Sequence, residues 1–160
     1  MEGSVRENSV RRMRKLFYTM QVKGRTSRPS DPTEPMRTTG SATSGTFSTV
    51  ISPTGIRTEI THSDGELAFF ESELRLVAPE EYQESGEIAV ADHVLKFSTA
   101  GSGHISSGIE PGMIAGAATW KVEGGEGQFA GARGFITSNF TITSAGDRCD
   151  LHCGMIFLPE

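Results

Sequence analysis

The amino-acid sequence predicts an all-β domain, an antiparallel up-and-down β-barrel of about eight strands with an N-terminal helical arm. The 160 residues suit a single domain. After Thr46, short alternating runs are separated by Gly- or Asp-bearing turns, namely SPTG, HSDG, GEGQ and SAGD. No helical periodicity separates these runs, and such a series of short strands is typical of a barrel or a sandwich.

The first element, residues 1–22, is predicted to be a basic amphipathic lid. Its apolar residues recur at spacings of three and four, as on one face of a helix: Val10, Met13, Leu16, Phe17 and Met20. The sequence LFYTMQV at 16–22 also alternates like a strand. A helix followed by a strand is therefore expected, and the residue at which one changes to the other stays open.

Charge is distributed unevenly between this arm and the rest of the chain. Residues 1–28 hold eight basic and two acidic side chains, whereas the remainder holds seven basic and 18 acidic ones. A basic arm is suited to nucleic acid, to an anionic membrane or to docking on its own acidic barrel. Because the acidic body would repel phosphates, we favour docking and expect neither a nucleic-acid nor a membrane partner. A solvated tail without function is the remaining alternative.

Residues 23–45 hold three prolines among Gly, Ser and Thr, which predicts a loop. The barrel domain is predicted at 46–160. Its strands are expected near 46–52, 56–62, 66–77, 86–91, 93–99, 113–122, 133–143 and 149–158. A barrel of this size either fills its interior or holds one small ligand, and we expect a mostly apolar cavity.

Neither metal nor cofactor chemistry is indicated by the sequence. Cys149 and Cys153 are four residues apart, roughly 13 Å in a strand, which is too far for a disulfide. The four histidines show no ligand spacing around them. GGEGQFAG at 124–131 lacks the Gly-Lys-Ser/Thr ending of a phosphate loop. With no apolar run long enough to span a bilayer and no secretory signal, a cytoplasmic location is expected.

Several motifs in the C-terminal half resemble those of a known family. These are GEGQFAGARGFITSNF, EEYQESGEIAVADHVLKFSTAG and the ending GMIFLPE. They are similar to motifs of the spirotetramate and spirotetronate cyclases, within the allene oxide cyclase-like and dirigent-like barrels. The likeness covers roughly residues 46–160. It implies a cofactor-independent cyclase that performs an intramolecular [4+2] cycloaddition on a linear polyketide, as a Diels-Alderase does. Residues 5–20 resemble an N-terminal helical lid that is known in this family.

The resemblance also implies a set of site residues. Tyr82, in EYQE, falls where a related cyclase has a pocket tyrosine, and strand alternation would place Glu84 on the same face. Gln128 is a further candidate for hydrogen bonding to a substrate carbonyl. Ser138 stands where the related cyclase has a pocket tryptophan, which implies a pocket of different shape. The remaining predicted substrate contacts are apolar: Met13, Leu16, Phe17, Met20, Phe47, Phe69, Phe97, Trp120, Phe129 and Phe140.

Two other functions stay open at this point. A lipocalin- or dirigent-like barrel could bind and orient a hydrophobic small molecule without catalysing its chemistry. A binder of nucleic acid or membranes acting through the arm would lose affinity steeply with salt. The sequence does not fix the oligomeric state, and a homodimer is among the options.

Overall fold

The computed structural model describes residues 11–160, which form strands joined by turns and one short 3-10 turn. Among these residues no helix has the length and apolar character that crossing a membrane would require. The strands are β1 (Met13–Ser27), β2 (Met36–Ala42), β3 (Gly45–Ser52), β4 (Gly55–His62), β5 (Ala68–Ala78), β6 (Glu81–Val90), β7 (His93–Thr99), β8 (Gly103–Ser107), β9 (Ile114–Glu126), β10 (Arg133–Ile142) and β11 (Asp147–Pro159).

Eight of these strands close into an antiparallel barrel, which confirms the predicted fold class. Around the barrel the order is β1, β2, β5, β6, β7, β9, β10 and β11, and β11 pairs with β1 to close the ring. The short β8 pairs with one end of β6 and of β9, where it takes the position that β7 leaves. Closure removes the open sheet edges that would otherwise invite aggregation.

The predicted helix is wrong over the described part of the arm. Residues 13–27 form β1, which pairs with β11 from Met13–Pro159 to Arg25–Asp147. This long ladder satisfies the backbone, so tertiary pairing overrides the helical spacing of the apolar residues. The rest of the predicted lid, residues 1–10, lies outside the described residues.

Two further expectations about the N-terminal part also need correction. Only residues 28–35 and 43–44 of the predicted loop at 23–45 connect strands, because β1 continues to Ser27 and β2 occupies Met36–Ala42. The barrel has the expected number of strands, but β3 and β4 are not among them. They form a separate two-stranded hairpin, and β1 and β2 complete the barrel instead.

The two ends of the barrel differ in how they are filled. At the closed end, the 3-10 turn Gly127–Phe129 turns its phenylalanine into the core, among buried aliphatic side chains that include Leu95, Ile136 and Ile156. At the opposite end, which we call the mouth, the residue 28–35 loop lies beside half-buried apolar side chains of β2, β8 and β9.

Candidate functional site in the barrel interior

Strand β11 carries three ionisable side chains into the barrel. Residues at every second position of a strand share a face, and Arg148, Asp150 and His152 follow this spacing. All three are at most 3% exposed. Most buried residues are hydrophobic, as expected, but a layer of charge that the sequence analysis does not predict crosses the interior.

The Arg148 guanidinium lies between two buried carboxylates. Its Nη1 is 3.0 Å from Oε1 of Glu84, and its Nη2 is 2.7 Å from Oδ2 of Asp150. Each carboxylate also accepts a hydroxyl hydrogen bond. Ser72 donates to Glu84 at 2.6 Å, and Ser138 donates to Asp150 at 2.8 Å. Buried charges are tolerated where they are paired and hydrogen-bonded in this way.

These contacts decide the ionisation of the cluster. Burial is the largest single influence on the pKa of Asp150 and would raise it, but the neighbouring His152 imidazole and Arg148 guanidinium outweigh burial and lower the pKa to about 2. For Arg148, burial acts to lower the pKa, and the carboxylates of Glu84 and Asp150 more than offset that and raise it. Asp150 and Arg148 are thus both charged at neutral pH.

The cluster extends through His152 to a tyrosine on β1. The Tyr18 hydroxyl is 3.1 Å from Nδ1 of His152. On the far side of the ring, Nε2 lies 3.2 Å from Oδ2 of Asp150, off the line of a well-formed hydrogen bond. Burial, followed by the charge of Asp150, raises the pKa of Tyr18, so its hydroxyl stays protonated.

Aromatic rings surround these polar groups. Phe97 stacks on Trp120 with ring centroids 3.9 Å apart, and Trp120 meets the His152 ring edge-on at 4.7 Å. The Arg148 guanidinium carbon lies 4.1 Å from the centre of the Phe140 ring. Such packing attracts the cation electrostatically and holds it in place.

Besides His152 Nε2, three buried donor groups in this region have no hydrogen-bond partner within residues 11–160: the Tyr82 hydroxyl, the Trp120 Nε1–H and the Arg148 Nε–H. Burial, followed by the charge of Glu84, raises the pKa of Tyr82, so its hydroxyl keeps its proton. Leaving a buried polar group unpaired costs about 1–3 kcal/mol. Protein interiors avoid this cost at most sites, so each of these donors is a candidate for pairing with an acceptor that residues 11–160 do not supply.

Two adjoining concavities lie at the mouth. Their volumes are about 340 and 600 Å³, and both are lined by apolar side chains of the rim: Met36, Leu74, Ile105 and Ile114. The residue 28–35 loop forms one wall of the larger one, and Arg75 donates a 3.1 Å hydrogen bond to the Thr33 carbonyl of that loop. A groove of about 1080 Å³ is larger, but it lies on the outer wall near the closed end and no cluster residue lines it.

Glycines make room for two of the interior rings. A Cβ atom on Gly103 would collide with the Tyr82 ring, and one on Gly116 would collide with the Phe140 ring. The two rings meet edge to face, with centroids 5.7 Å apart. Because β8 and β9 have no side chain at these points, the bulky rings fit directly against the backbone.

Most of the sequence-predicted site residues lie in the interior. Tyr82 and Glu84 are both buried there, on one face of β6 as alternation requires. Their roles toward a ligand stay predictions. Others that point inward are Ser138, Phe97, Trp120, Phe140, and the half-buried Leu16 and Met20 of β1. Phe129 is also buried, at the closed end.

The structure separates the remaining predicted residues from the cluster. Gln128 is exposed on the 3-10 turn at the closed end, so it does not share a site with Tyr82. Phe47 lies on the separate hairpin. Met13, Phe17 and Phe69 point outward and are 38%, 75% and 57% exposed, because odd-numbered residues of β1 and Phe69 of β5 occupy the solvent side of the pleat.

Sequence reasoning missed the charged residues of β11. The strand was expected, but its interior was assumed to be apolar, so Arg148, Asp150 and His152 were not considered. Their Arg-x-Asp-x-His spacing places all three on one face of a strand, and this signal could have identified them. Ser72 and Tyr18 have no comparable signal, because their roles depend on partners far away in the sequence.

Comparison with known proteins supports the fold. No protein-family model matches the chain, and no curated protein matches it in sequence. Among solved structures, the chain is similar to the pterocarpan synthase dirigent protein GePTS1, with a TM-score of 0.55 and 12% identity over 92% of this chain and 90% of that one. At this identity the likeness concerns the fold alone: the chain has a barrel of the kind found in a dirigent protein.

Proposed function

We propose that this chain binds a hydrophobic small molecule through the mouth of its barrel and cyclises it without a cofactor. The observation that carries this proposal is the set of unpaired buried donors on Tyr82, Trp120 and Arg148. A barrel wall does not need these groups, and their burial lowers its stability. They are suited to a substrate that carries a carbonyl oxygen.

The specific reaction we propose is the [4+2] cycloaddition that the sequence resemblance implies. A diene and the exocyclic alkene of a tetramate or tetronate ring would combine within one linear polyketide to give a spiro ring. The reaction exchanges π bonds for σ bonds, moves no proton and leaves the mass unchanged. Holding the chain in one folded conformer can contribute up to about 7–11 kcal/mol. A donor on the ring carbonyl would polarise the alkene further.

Tyr82 is our leading candidate for that donor. Its hydroxyl stays protonated and has no partner within the described residues. Arg148, held by Glu84 and Asp150, places a fixed positive charge in the same layer. We assign those carboxylates the role of positioning the guanidinium, because they are already occupied by Arg148 and by serine hydroxyls.

A binding barrel without catalysis is the second candidate, and the dirigent-like fold favours it. Such a protein would hold a ligand in one conformation and leave the rate of the chemical step unchanged. The two functions differ in a measurable way. A cyclase accelerates the loss of the linear substrate, whereas a binder only shifts the ratio of the products that form spontaneously.

The test compares the chain's two tyrosines. A synthetic linear polyene bearing a diene and an exocyclic-methylene tetramate is incubated with the protein, and an isomer of equal mass is followed by chromatography and mass spectrometry. We expect Tyr82→Phe to lower turnover about 100-fold. Because its hydroxyl is unpaired, stability should hold or rise slightly.

Tyr18→Phe is the matched control. It removes a hydroxyl that is paired with His152, so it should lower stability by about 1 kcal/mol and change turnover much less. Unchanged turnover in Tyr82→Phe would exclude Tyr82 as the donor. A wild-type protein that binds the polyene without accelerating its loss would favour the binding barrel.

A further inference from the structure

The outward face of β11 is as unusual as its inward face. Its exposed positions carry Leu151, Cys153, Met155 and Phe157, where an antiparallel sheet normally presents polar side chains to water. Over residues 148–153 the strand is thus inverted, with its charged residues inside and its apolar residues outside. Beyond Gly154 both faces are apolar, because Ile156 and Leu158 point into the core. Inside the barrel the charges have partners, whereas Leu151, Met155 and Phe157 stay partly exposed outside it.

The neighbouring strands extend this apolar column into a wider field. Strand register aligns outward residues of β1, β11 and β10 in three successive rows, and none of the nine is charged: Phe17, Met155 and Phe135; Thr19, Cys153 and Thr137; Gln21, Leu151 and Asn139. Lys15 and Arg133 bound the field on one side, and Lys23 bounds it on the other. A charge-depleted centre with a charged rim is typical of a protein–protein interface.

The field has the size of an interface core. Phe17 is 75% exposed, Phe135 is 57% exposed, and Phe157, in the adjoining row between Lys15 and Arg133, is 36% exposed. The three rings present about 300 Å² of apolar surface. Met155 and Leu151 bring this to about 500 Å², near the upper limit for the largest apolar patch on a monomer. A standard interface covers about 800 Å² per partner, and a homodimer core is about 65% apolar, which is again about 500 Å².

We propose that this field is the contact surface between two copies of the chain, related by a two-fold axis. In such a contact the same patch meets itself, so residue i of one copy faces residue j of the other and j faces i, and the patch must be self-complementary. The polar members of the field meet this condition. Thr19, Thr137, Gln21 and Asn139 carry hydroxyls or amides, each able both to donate and to accept. Residues 1–10 fit the field poorly, because MEGSVRENSV is largely polar.

The first experiment is sedimentation velocity on the full chain between 1 and 100 µM, a range chosen to cover ordinary homodimer affinities. We expect a dimer for the wild type. Met155→Glu places a charge between the two phenylalanines of the field and should raise the dimer Kd roughly 30-fold or more. The matched control is Ile109→Glu, a fully exposed apolar residue outside the field, which should leave the Kd unchanged. Circular dichroism melts check that both variants keep the barrel.

Cys153 supplies a second readout because it lies in the middle row of the field and is exposed in the single chain. In a Cys149→Ser background, a bulky maleimide should label Cys153 slowly at high protein concentration and rapidly on dilution or in Met155→Glu. A monomeric wild type across the range, equal effects of Met155→Glu and Ile109→Glu, or concentration-independent labelling would each overturn the proposal. Binding of monomers to phosphatidylcholine vesicles through this face would overturn it in favour of a membrane.

Discussion

At the scale of single residues, the centre of this molecule is a charge balance built around Arg148. One guanidinium serves two carboxylates, both fully buried, and a serine hydroxyl completes the hydrogen bonding of each. Replacing such a group by an apolar one of similar size is not neutral, because the surviving partners keep their charge in a medium that solvates it poorly. The stability of the fold and the function that we propose therefore depend on the same side chains.

Removing the cation should be severely destabilising. We expect Arg148→Met to lower the free energy of unfolding by about 3–5 kcal/mol, because it leaves Glu84 and Asp150 buried without a counter-charge. Arg25→Met is the control: it breaks the exposed ion pair with Asp147, which contributes less than about 1 kcal/mol. Urea unfolding measures both.

Arg148→Lys extends this test should the methionine variant not fold. It keeps the positive charge but loses the two-pronged contact of the guanidinium, so we expect a loss of stability between those of Arg25→Met and Arg148→Met. Equal losses in the Arg148 and Arg25 variants would show that the buried carboxylates do not depend on the guanidinium.

Acid should weaken the fold through Asp150 in a defined window. The folded-state pKa of Asp150 is about 2, below the value of about 3.9 for an unfolded aspartate. Its stabilising contribution is therefore complete above about pH 4 and is lost as the pH falls toward 2. Between pH 5 and pH 2.5 we expect the free energy of unfolding of the wild type to fall by on the order of 2 kcal/mol more than that of Asp150→Asn. If the free energy of unfolding has the same pH dependence in both proteins, Asp150 is not the group responsible.

At the scale of elements, sequence patterns located most of the strands and missed those whose inward residues are small or polar. Eight runs, from β3 to β7 and from β9 to β11, are predicted by the sequence, although β6 begins at Glu81 and not near residue 86. The short β2 escaped because its inward residues, Thr38, Gly40 and Ala42, show no apolar alternation. Membership of the barrel could not be predicted either, because pairing depends on contacts between distant parts of the chain, such as β1 with β11.

The interior site was only partly predictable for a related reason. Alternation correctly placed Tyr82 and Glu84 on one face of β6. It gave no indication that the carboxylate of Glu84 meets a guanidinium 64 residues later in the chain. The aromatic residues show the same limit, since Phe69 and Phe70 are neighbours in sequence and lie on opposite faces of β5.

At the scale of the whole molecule, the barrel depends on its first strand and not on its hairpin. β1 closes the ring by a 13-residue ladder with β11, whereas β3 and β4 pair only with each other. The hairpin leaves and re-enters the barrel at adjacent points, because Ser63 N–H donates to the Ser44 carbonyl at 2.9 Å. Residues 13–22, predicted as part of a lid, are thus structural, and we expect residues 45–62 to be the part that can be removed.

Two deletions test this difference. Removing residues 1–22 should abolish cooperative thermal unfolding, because β11 loses most of its partner and the interior opens to water. Replacing 45–62 by an Asn-Gly turn should leave a folded barrel whose melting temperature changes by only a few degrees. Differential scanning calorimetry of both variants checks this. A folded barrel after the N-terminal deletion would contradict the role of β1.

The inverted pattern of β11 has a consequence for how the chain avoids misfolding. A slip of one residue would turn the whole strand over. Leu151, Cys153, Met155 and Phe157 would enter the core while Ile156 and Leu158 would leave it, an exchange that hydrophobicity alone does not oppose. The slip would also carry Arg148 outside and leave Glu84 facing inward without its cation. The energetic penalty of that uncompensated charge works against the error. A carboxylate on β6 thereby disfavours a misaligned pairing of the last strand with its neighbours β1 and β10.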